Sequence, residues 1–329
     1  MKYKFLLFFL SITLQADQFS FLFYNDFFAG TDKHFTNGVS ASWIDDAVEN
    51  KENKDSNKFS RAVYSSVAKI PFIPLNSAKL HSAGISLSQI IITPSDTSIK
   101  TPQYDDVPYA GYLALNIYLF EWDKKSFTEF RVEGGVVGEE SGAKFMQNNF
   151  HEMIGNHKSK GWDTQLTTHY TMNLLFRYGE ISWQKKNING FDLDWFNHLG
   201  FQAGNFVTDL FGSTIIRVGK NYIHNFNVHY PYLKEEASLL KLNHEHHNLG
   251  YSLSLGLSTE LLAYSYILDE AKKQGYQTGK RVLNAAFYAG VDLYYLRSKF
   301  TFFYQSHSPY ATQQKRGDIF GGFIYAYQF

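Results

Sequence analysis

The last thirteen residues, Gly317-Asp318-Ile319-Phe320-Gly321-Gly322-Phe323-Ile324-Tyr325-Ala326-Tyr327-Gln328-Phe329, carry the reading that decides the fold. Ile319, Gly321, Phe323, Tyr325, Tyr327 and Phe329 recur at every second position and end on a terminal aromatic. A period of two belongs to a β-strand, and an aromatic stripe along one face of it suits a lipid-facing wall. The pattern predicts a last strand that closes the seam of a barrel, because a closed sheet leaves no unpaired edge in the membrane.

The segment resembles the C-terminal signal of outer-membrane barrel proteins, and the same alternation recurs upstream. Ser252, Ser254, Gly256, Ser258 and Glu260 alternate with Leu253, Leu255, Leu257, Thr259 and Leu261. Phe287, Ala289, Val291, Leu293 and Tyr295 alternate with Tyr288, Gly290, Asp292 and Tyr294, and Glu129, Arg131 and Glu133 lie opposite Phe130, Val132 and Val136. One set suits a lumen and the other suits lipid. Twelve such segments are predicted near 18–26, 35–44, 80–92, 109–120, 127–138, 164–178, 190–204, 211–221, 247–264, 282–296, 299–306 and 317–329. The fold class expected is an all-β, antiparallel transmembrane β-barrel of about twelve strands.

An even count puts both ends of the barrel on the periplasmic side. The outer face then receives 27–34, 93–108, 139–163, 205–210, 265–281 and 307–316, while 45–79 and 222–246 become long periplasmic connections. The first sixteen residues read as a signal peptide, with Lys2 and Lys4 before the apolar run Phe5 to Leu14 and Ala16 at the cleavage point. The expected division is therefore 1–16 signal peptide and 17–329 barrel.

Composition agrees with a membrane wall: 44% of residues are hydrophobic and 18% aromatic, with 30 Phe and 23 Tyr, yet no stretch is long and apolar enough for a transmembrane helix. The chain has no cysteine, which excludes disulfides, a thiol nucleophile and an N-terminal lipidated Cys. Zero formal net charge without a basic block argues against nucleic acid as a partner.

One outer loop departs from the β pattern. Between Ser141 and Gly155, Met146, Phe150, Met153 and Ile154 follow helical spacing, with Ser141 a plausible N-cap and Gly155 a plausible C-cap. A second helix is expected around Arg61 to Lys69.

Three polar clusters fall at expected outer ends of strands. Asn25 and Asp26, with Asp32 and Thr36, offer oxygen donors suited to a hard cation, although the same residue types make ordinary polar turns. Gln147 and His151 share one face of the loop helix, and an imidazole can serve as a general base; an exposed surface histidine is the plainer reading. Asp105 to Gly111 reads as a Pro-containing turn into a strand. The stretch Asn243-His244-Glu245-His246-His247 invites a zinc reading but lacks HExxH spacing. No serine sits in a G-x-S-x-G setting, which favours attack by water over an acyl-enzyme.

Taken in order, Asn25-Asp26, Gly30-Thr31-Asp32, Phe35-Thr36-Asn37-Gly38, Pro108-Tyr109-Ala110-Gly111, Gly138, Gln147, His151, Gly155, Gly161-Trp162-Asp163-Thr164-Gln165-Leu166 and Gly204-Asn205 resemble the outer-membrane lipid A 3′-O-deacylase family. The resemblance covers essentially the whole mature chain. It departs in the extra residues of 45–79 and at Val107, where many relatives carry a basic residue.

The resemblance implies a twelve-stranded barrel with a site between the wall and the loop helix, and calcium-assisted hydrolysis of an ester of lipopolysaccharide in the outer leaflet. It implies His151 as base, Asn25 and Asp26 as the calcium and oxyanion site with Thr36 as a further member, and Gln147 orienting water or metal. The cofactor expected is Ca²⁺, the partners lipid A and outer-membrane lipids, and the protein a monomer. The competing readings are an outer-membrane phospholipase with a Ser-His-Asn arrangement, and a non-enzymatic channel or adhesin. By parity Asn25 shares the side of Phe19, Phe21 and Phe23, so either the strand stops before it or the site straddles the rim.

Overall fold

The computed structural model describes residues 17–29, 34–45, 47, 58–71, 73, 75–153, 155–222, 226 and 246–329. The expected signal peptide, Asp32, the side chain of Thr36 and the side chains of the histidine-rich stretch lie outside the described residues.

Twelve antiparallel strands close on themselves: β1 (Gln18–Asn25), β2 (His34–Ile44), β3 (Leu80–Thr93), β4 (Ala110–Trp122), β5 (Ser126–Val137), β6 (His169–Ile188), β7 (Phe191–Gly204), β8 (Val207–Lys220), β9 (His246–Ser265), β10 (Leu283–Leu296), β11 (Ser298–His307) and β12 (Ile319–Gln328). Each pairs with its neighbours in sequence, and β1 pairs with β12 to close the seam. There Phe19, Phe21 and Phe23 lie opposite Tyr327, Tyr325 and Phe323. All six belong to the outward stripe read from the sequence, and the Phe23 and Phe323 rings stand 5.7 Å apart.

Parity holds throughout, so the termini share one rim. Three connections at that rim are tight, at 123–125, 189–190 and Arg297. Asn189, Gly190 and Leu296 take positive φ there to reverse the chain. The long connection 45–79 carries the predicted helix, observed as α1 (Lys58–Val67). β2 stops at Ile44, opposite Gly84, which leaves the first residues of β3 without a strand on that side. Helix α1 fills the gap: Ala83 N–H donates to Ser60 Oγ at 2.9 Å, Ser60 Oγ donates to Asp45 at 3.0 Å, and the Tyr64 ring stacks on His81 at 4.2 Å. The helix therefore covers a strand edge, a standard protection against stray pairing.

The lumen is packed. Inward aromatic clusters such as Tyr118, Phe120, Phe127 and Phe196 fill it, together with ion pairs between Arg217 and Asp194 at 2.8 Å and Lys299 and Asp292 at 3.1 Å. Arg177 pairs with Glu129 in the same way. The interior cavity beside Tyr24, Tyr112 and Glu133 measures about 10 Å³, roughly the room one water needs.

The boundaries shift in three places. β6 begins at His169 rather than near 164, because Trp162–Thr164 form a 3-10 turn, and it runs on to Ile188. That extension, Gln184 to Asn187, is polar and exposed and so shows no apolar alternation. β8 begins at Val207, four residues early, since only Asn205 and Phe206 separate it from β7. The outer loop after β9 contains a helix, α3 (Tyr266–Lys273), that the sequence reading left as loop.

Candidate active site at the barrel flank

The loop between β5 and β6 carries α2 (Ala143–Met153), within the predicted span. Its burial is inverted with respect to a helix in a soluble protein. Ala143, Gln147 and His151, at i, i+4 and i+8, are buried, whereas Phe145, Met146 and Met153 are 71%, 46% and 75% exposed. A helix whose polar stripe faces protein and whose apolar side chains face out sits against the outside of a membrane barrel, not over its mouth.

Four residues opposite one another across β1 to β4, Asn25, Asn37, Ile91 and Gly111, form the row beneath it. The row lies on the outer face, since Asn25 follows Phe19, Phe21 and Phe23 and Asn37 follows the parity of Trp43, which packs on Phe19. Gly111 is required here: a Cβ would stand 2.1 Å from Ser141 Oγ and 2.3 Å from Ala143 Cβ. Ile91, Tyr109, Ala143 and Trp162 form one buried cluster, and Gln89 Nε2 donates to Ser141 O at 2.6 Å. Seven residues further along, Phe150 meets Phe23 of β1 at 5.9 Å. Seven residues of helix span about 10 Å, the width of two strand spacings. β4 to β1 is three such spacings, so the helix lies over β4 and β3 and reaches β1 through the Phe150 side chain, which brings His151 towards the flank that bears Asn25 and Asn37.

Asn25 and Asp26 are only 4% and 3% exposed. β1 ends at Asn25 and Asp26 opens a 3-10 turn (Asp26–Ala29), so the site lies on the outer flank at the rim and Asn25 keeps its outward parity. Opposite, the pairing of β2 and β3 slips at Thr36, between Phe35 and Asn37, a bulge of the kind that re-aims a strand beside a site.

His151 is fixed by the end of its own helix. Gly155 takes φ +73°, its N–H bonds Glu152 O at 3.3 Å, and Asn156 N–H bonds His151 O at 2.7 Å. This is a Schellman closure, which turns the chain back along the helix. His157 O then lies 2.7 Å from His151 Nδ1. A carbonyl only accepts, so Nδ1 carries the proton of this contact, and Nε2 is the nitrogen that holds the lone pair in the neutral ring. Gln147 is locked in the same fashion: Trp162 Nε1 donates to Gln147 Oε1 at 2.8 Å, which leaves Nε2 as a buried donor with no protein acceptor. The expected N-cap is modified, for Gly142 directly precedes the helix in the left-handed region while Ser141 Oγ donates to Gly138 O at 2.6 Å. Outside, Lys144 pairs with Asp163 at 2.6 Å and Lys158 with Glu152 at 2.7 Å, and these hydrogen bonds hold both carboxyls below their usual range.

The oxygen donors fit a hard cation better than zinc. Among the described residues no group of three His, Cys, Asp or Glu side chains converges, and the Asp26 carboxylate and Asn25 amide are hard oxygen donors of the kind Ca²⁺ takes. The plainer reading of Asp105–Gly111 holds for its acidic residues, since Asp106 accepts from Ser95 and Val107 N–H groups at 2.8 and 2.7 Å and shapes the loop. Tyr109 and Gly111, by contrast, support α2. Val107 is buried against Leu268 and Ala311, an apolar setting with no room for a basic side chain's role.

A barrel flanked by this helix can be compared with known proteins. The profile of the family described as outer membrane protein LpxR matches residues 5–329. The chain belongs to the LpxR family. That is the lipid A 3′-O-deacylase family whose motifs the sequence resembles, and it makes this chain a multi-pass β-barrel of the outer membrane. The structure of LpxR from Salmonella typhimurium superposes with a TM-score of 0.75 at 13% identity, over 95% of this chain and 100% of that one. The β domain of the Bordetella autotransporter BrkA reaches 0.45 at 9% identity, over 96% and 100%. No curated protein matches by sequence. Barrels of the outer membrane keep their short turns at the periplasmic side and their longer loops outside, which puts the termini rim, with its three tight turns, at the periplasm and α2 with the Asn25 row at the outer face.

Trp162 and Gly111 carry no role in the sequence, yet the first holds Gln147 and the second gives α2 its close approach to the wall, while Gly155 ends the helix as its C-cap position predicts.

Proposed function

We propose that this chain is a lipid A 3′-O-deacylase that hydrolyses the ester of the 3′-linked acyloxyacyl group, with His151 as general base and calcium at Asn25 and Asp26. The observation that carries the reading is the inverted helix. His151 and Gln147 are buried on the face of α2 that meets the wall, and Phe150, next to His151, reaches Phe23, two residues before Asn25. A lipid whose ester sits at the headgroup boundary meets such a site without leaving the membrane.

His151 Nε2 takes a proton from water as the water oxygen attacks the ester carbonyl carbon. The Nδ1 bond to His157 O steadies the imidazolium that forms, and Nε2 returns the proton to the departing sugar oxygen as the C–O bond breaks. Gln147 Nε2 is available to hold the water or the developing oxyanion. Asn25, Asp26 and, by resemblance, Thr36 would hold calcium, which when bound would polarise the ester carbonyl and offset its negative charge. No covalent acyl-enzyme is needed.

The aromatic clusters and ion pairs that fill the described lumen count against the channel reading. The test is purified protein in detergent with lipid A, assayed by mass spectrometry in calcium and in chelator. Loss of one acyloxyacyl group in calcium alone is expected, and intact lipid A in both would reject the reading.

A further inference from the structure

The row through Asn25 continues the other way round the barrel. Asn25 lies opposite Gly321 of β12, then Tyr304 of β11, Ala289 of β10, Leu255 of β9 and Ile216 of β8, all on the lipid-facing side. These positions from Tyr304 to Ile216 line a groove of about 490 Å³ whose rim end is Phe28. That volume is the size of a ligand pocket, not of a dimple in a wall.

The small residues make the groove. Gly321 lets Phe28 lie across it, since a Cβ there would come within 2.8 Å of Phe28 Cβ and 3.0 Å of the Tyr304 ring. Tyr304 Oη donates to Phe28 O at 3.2 Å and fixes that corner. Ala289 sits midway, where its outward neighbours along β10, Phe287 and Val291, carry larger side chains. Phe28 belongs to the same 3-10 turn as Asp26, so one short turn borders both the polar site and the apolar groove.

The groove also slants the right way. Asn25 ends β1 at the outer rim, Ala289 is the seventh residue of β10 from that rim, and Ile216 the tenth of β8. Five strand spacings make roughly 24 Å. With strands tilted about 40° the far end lies ~15 Å deeper, about one leaflet of hydrocarbon.

We propose that this groove is an acyl-chain subsite: a saturated hydrocarbon chain of the lipid held at Asn25 and Asp26 runs down it from Phe28 to Ile216. The proposal rests on the lipid-hydrolase reading for its headgroup anchor and adds a place for one chain. A bulk membrane lipid touching the wall by chance would have no preference for this flank over any other.

The test uses the full-length His151→Ala protein in bilayer discs and lipid A with a photoreactive diazirine on one acyl chain. Crosslinks should map to the groove about tenfold more often than to Leu174 and Leu199, which are 51% and 59% exposed on the opposite flank. A phospholipid carrying the same diazirine chain should label both flanks alike. Ala289→Trp, which fills the groove from the lipid side, should remove the preference, and Leu174→Trp should not. Equal labelling of the two flanks by the lipid A probe, or equal enrichment with the phospholipid, would overturn the proposal. Labelling does not require cleavage, so groove labelling without any hydrolysis by the unsubstituted protein would count against the hydrolase reading alone.

Discussion

His157 O stands 2.7 Å from His151 Nδ1, a contact made by a backbone atom six residues on in the chain. A side-chain orienter could be replaced by mutation, but this one is set by the turn at Gly155. Gly155→Ala is therefore the informative change. Nothing lies within 4 Å of its Cβ, so the whole effect is the cost of a left-handed alanine, about 1–2 kcal/mol. Hydrolysis should slow about tenfold while the barrel's heat-modifiable migration on gels is unchanged. An unaltered rate would separate the turn from the chemistry.

His151→Ala should lower the rate by roughly 10²–10⁴-fold, the range for loss of a general base. The pH profile distinguishes the base from the clamps on α2. The carboxyls of Asp163 and Glu152 are depressed by their lysine partners, so the clamps are intact above the ordinary carboxylate pKa of about 4 and are released only as pH falls through the lower folded values. A loss of rate beginning above about pH 5 therefore does not come from release of these clamps. A His151→Ala protein that keeps the intact rate would remove the residue from the base role.

Gly111→Val would drive a side chain into Ser141 and Ala143 and lift α2 from the wall. Displacements of about 1 Å at a reacting group can cost 10²-fold, and a loss of that order is expected in deacylation. Gel migration and the β-type circular dichroism spectrum should remain those of the folded barrel, because α2 contributes nothing to closure. Collapse of both would mean that Gly111 serves folding instead.

How far the sequence reaches depends on which face of an element meets lipid. Alternation in β1, β9, β10 and β12 is plain because every second residue answers to hydrocarbon, and the strand order follows from it. The exposed end of β6 answers to water, so no period marks it, and α3 is only eight residues long, too short a run for its buried Tyr266, Ile267, Leu268 and Ala271 to stand out as a helix. In α2 the apolar spacing of Met146, Phe150 and Met153 reveals the helix, yet it cannot tell that both methionines face out, that Phe150 meets the wall and that Gln147 and His151 face in. The His157 contact was illegible, since a carbonyl has no residue type.

Trp162→Phe keeps the ring in its cluster and deletes the hydrogen bond to Gln147. A buried acceptor left unpaired costs about 1–3 kcal/mol, so a fall of roughly tenfold in rate is expected with the barrel intact. In a Gln147→Ala background the same change should add little, because the bond it breaks is already gone. Fully additive losses would place Trp162 outside this pair.

Calcium should be needed through Asp26 and Asn25. Asp26→Ala and an excess of chelator should each abolish hydrolysis, and added calcium should rescue the chelated protein but not the variant. Activity persisting in chelator would remove calcium from the account and leave the barrel assignment standing.

The central claim is tested most directly by the mass of lipid A extracted from cells that carry the intact chain, the His151→Ala chain, or neither. The account predicts lipid A lighter by the 3′-acyloxyacyl group only with the intact chain, and full-length lipid A in the other two. Unchanged lipid A in cells whose outer membrane holds the folded intact barrel would contradict it.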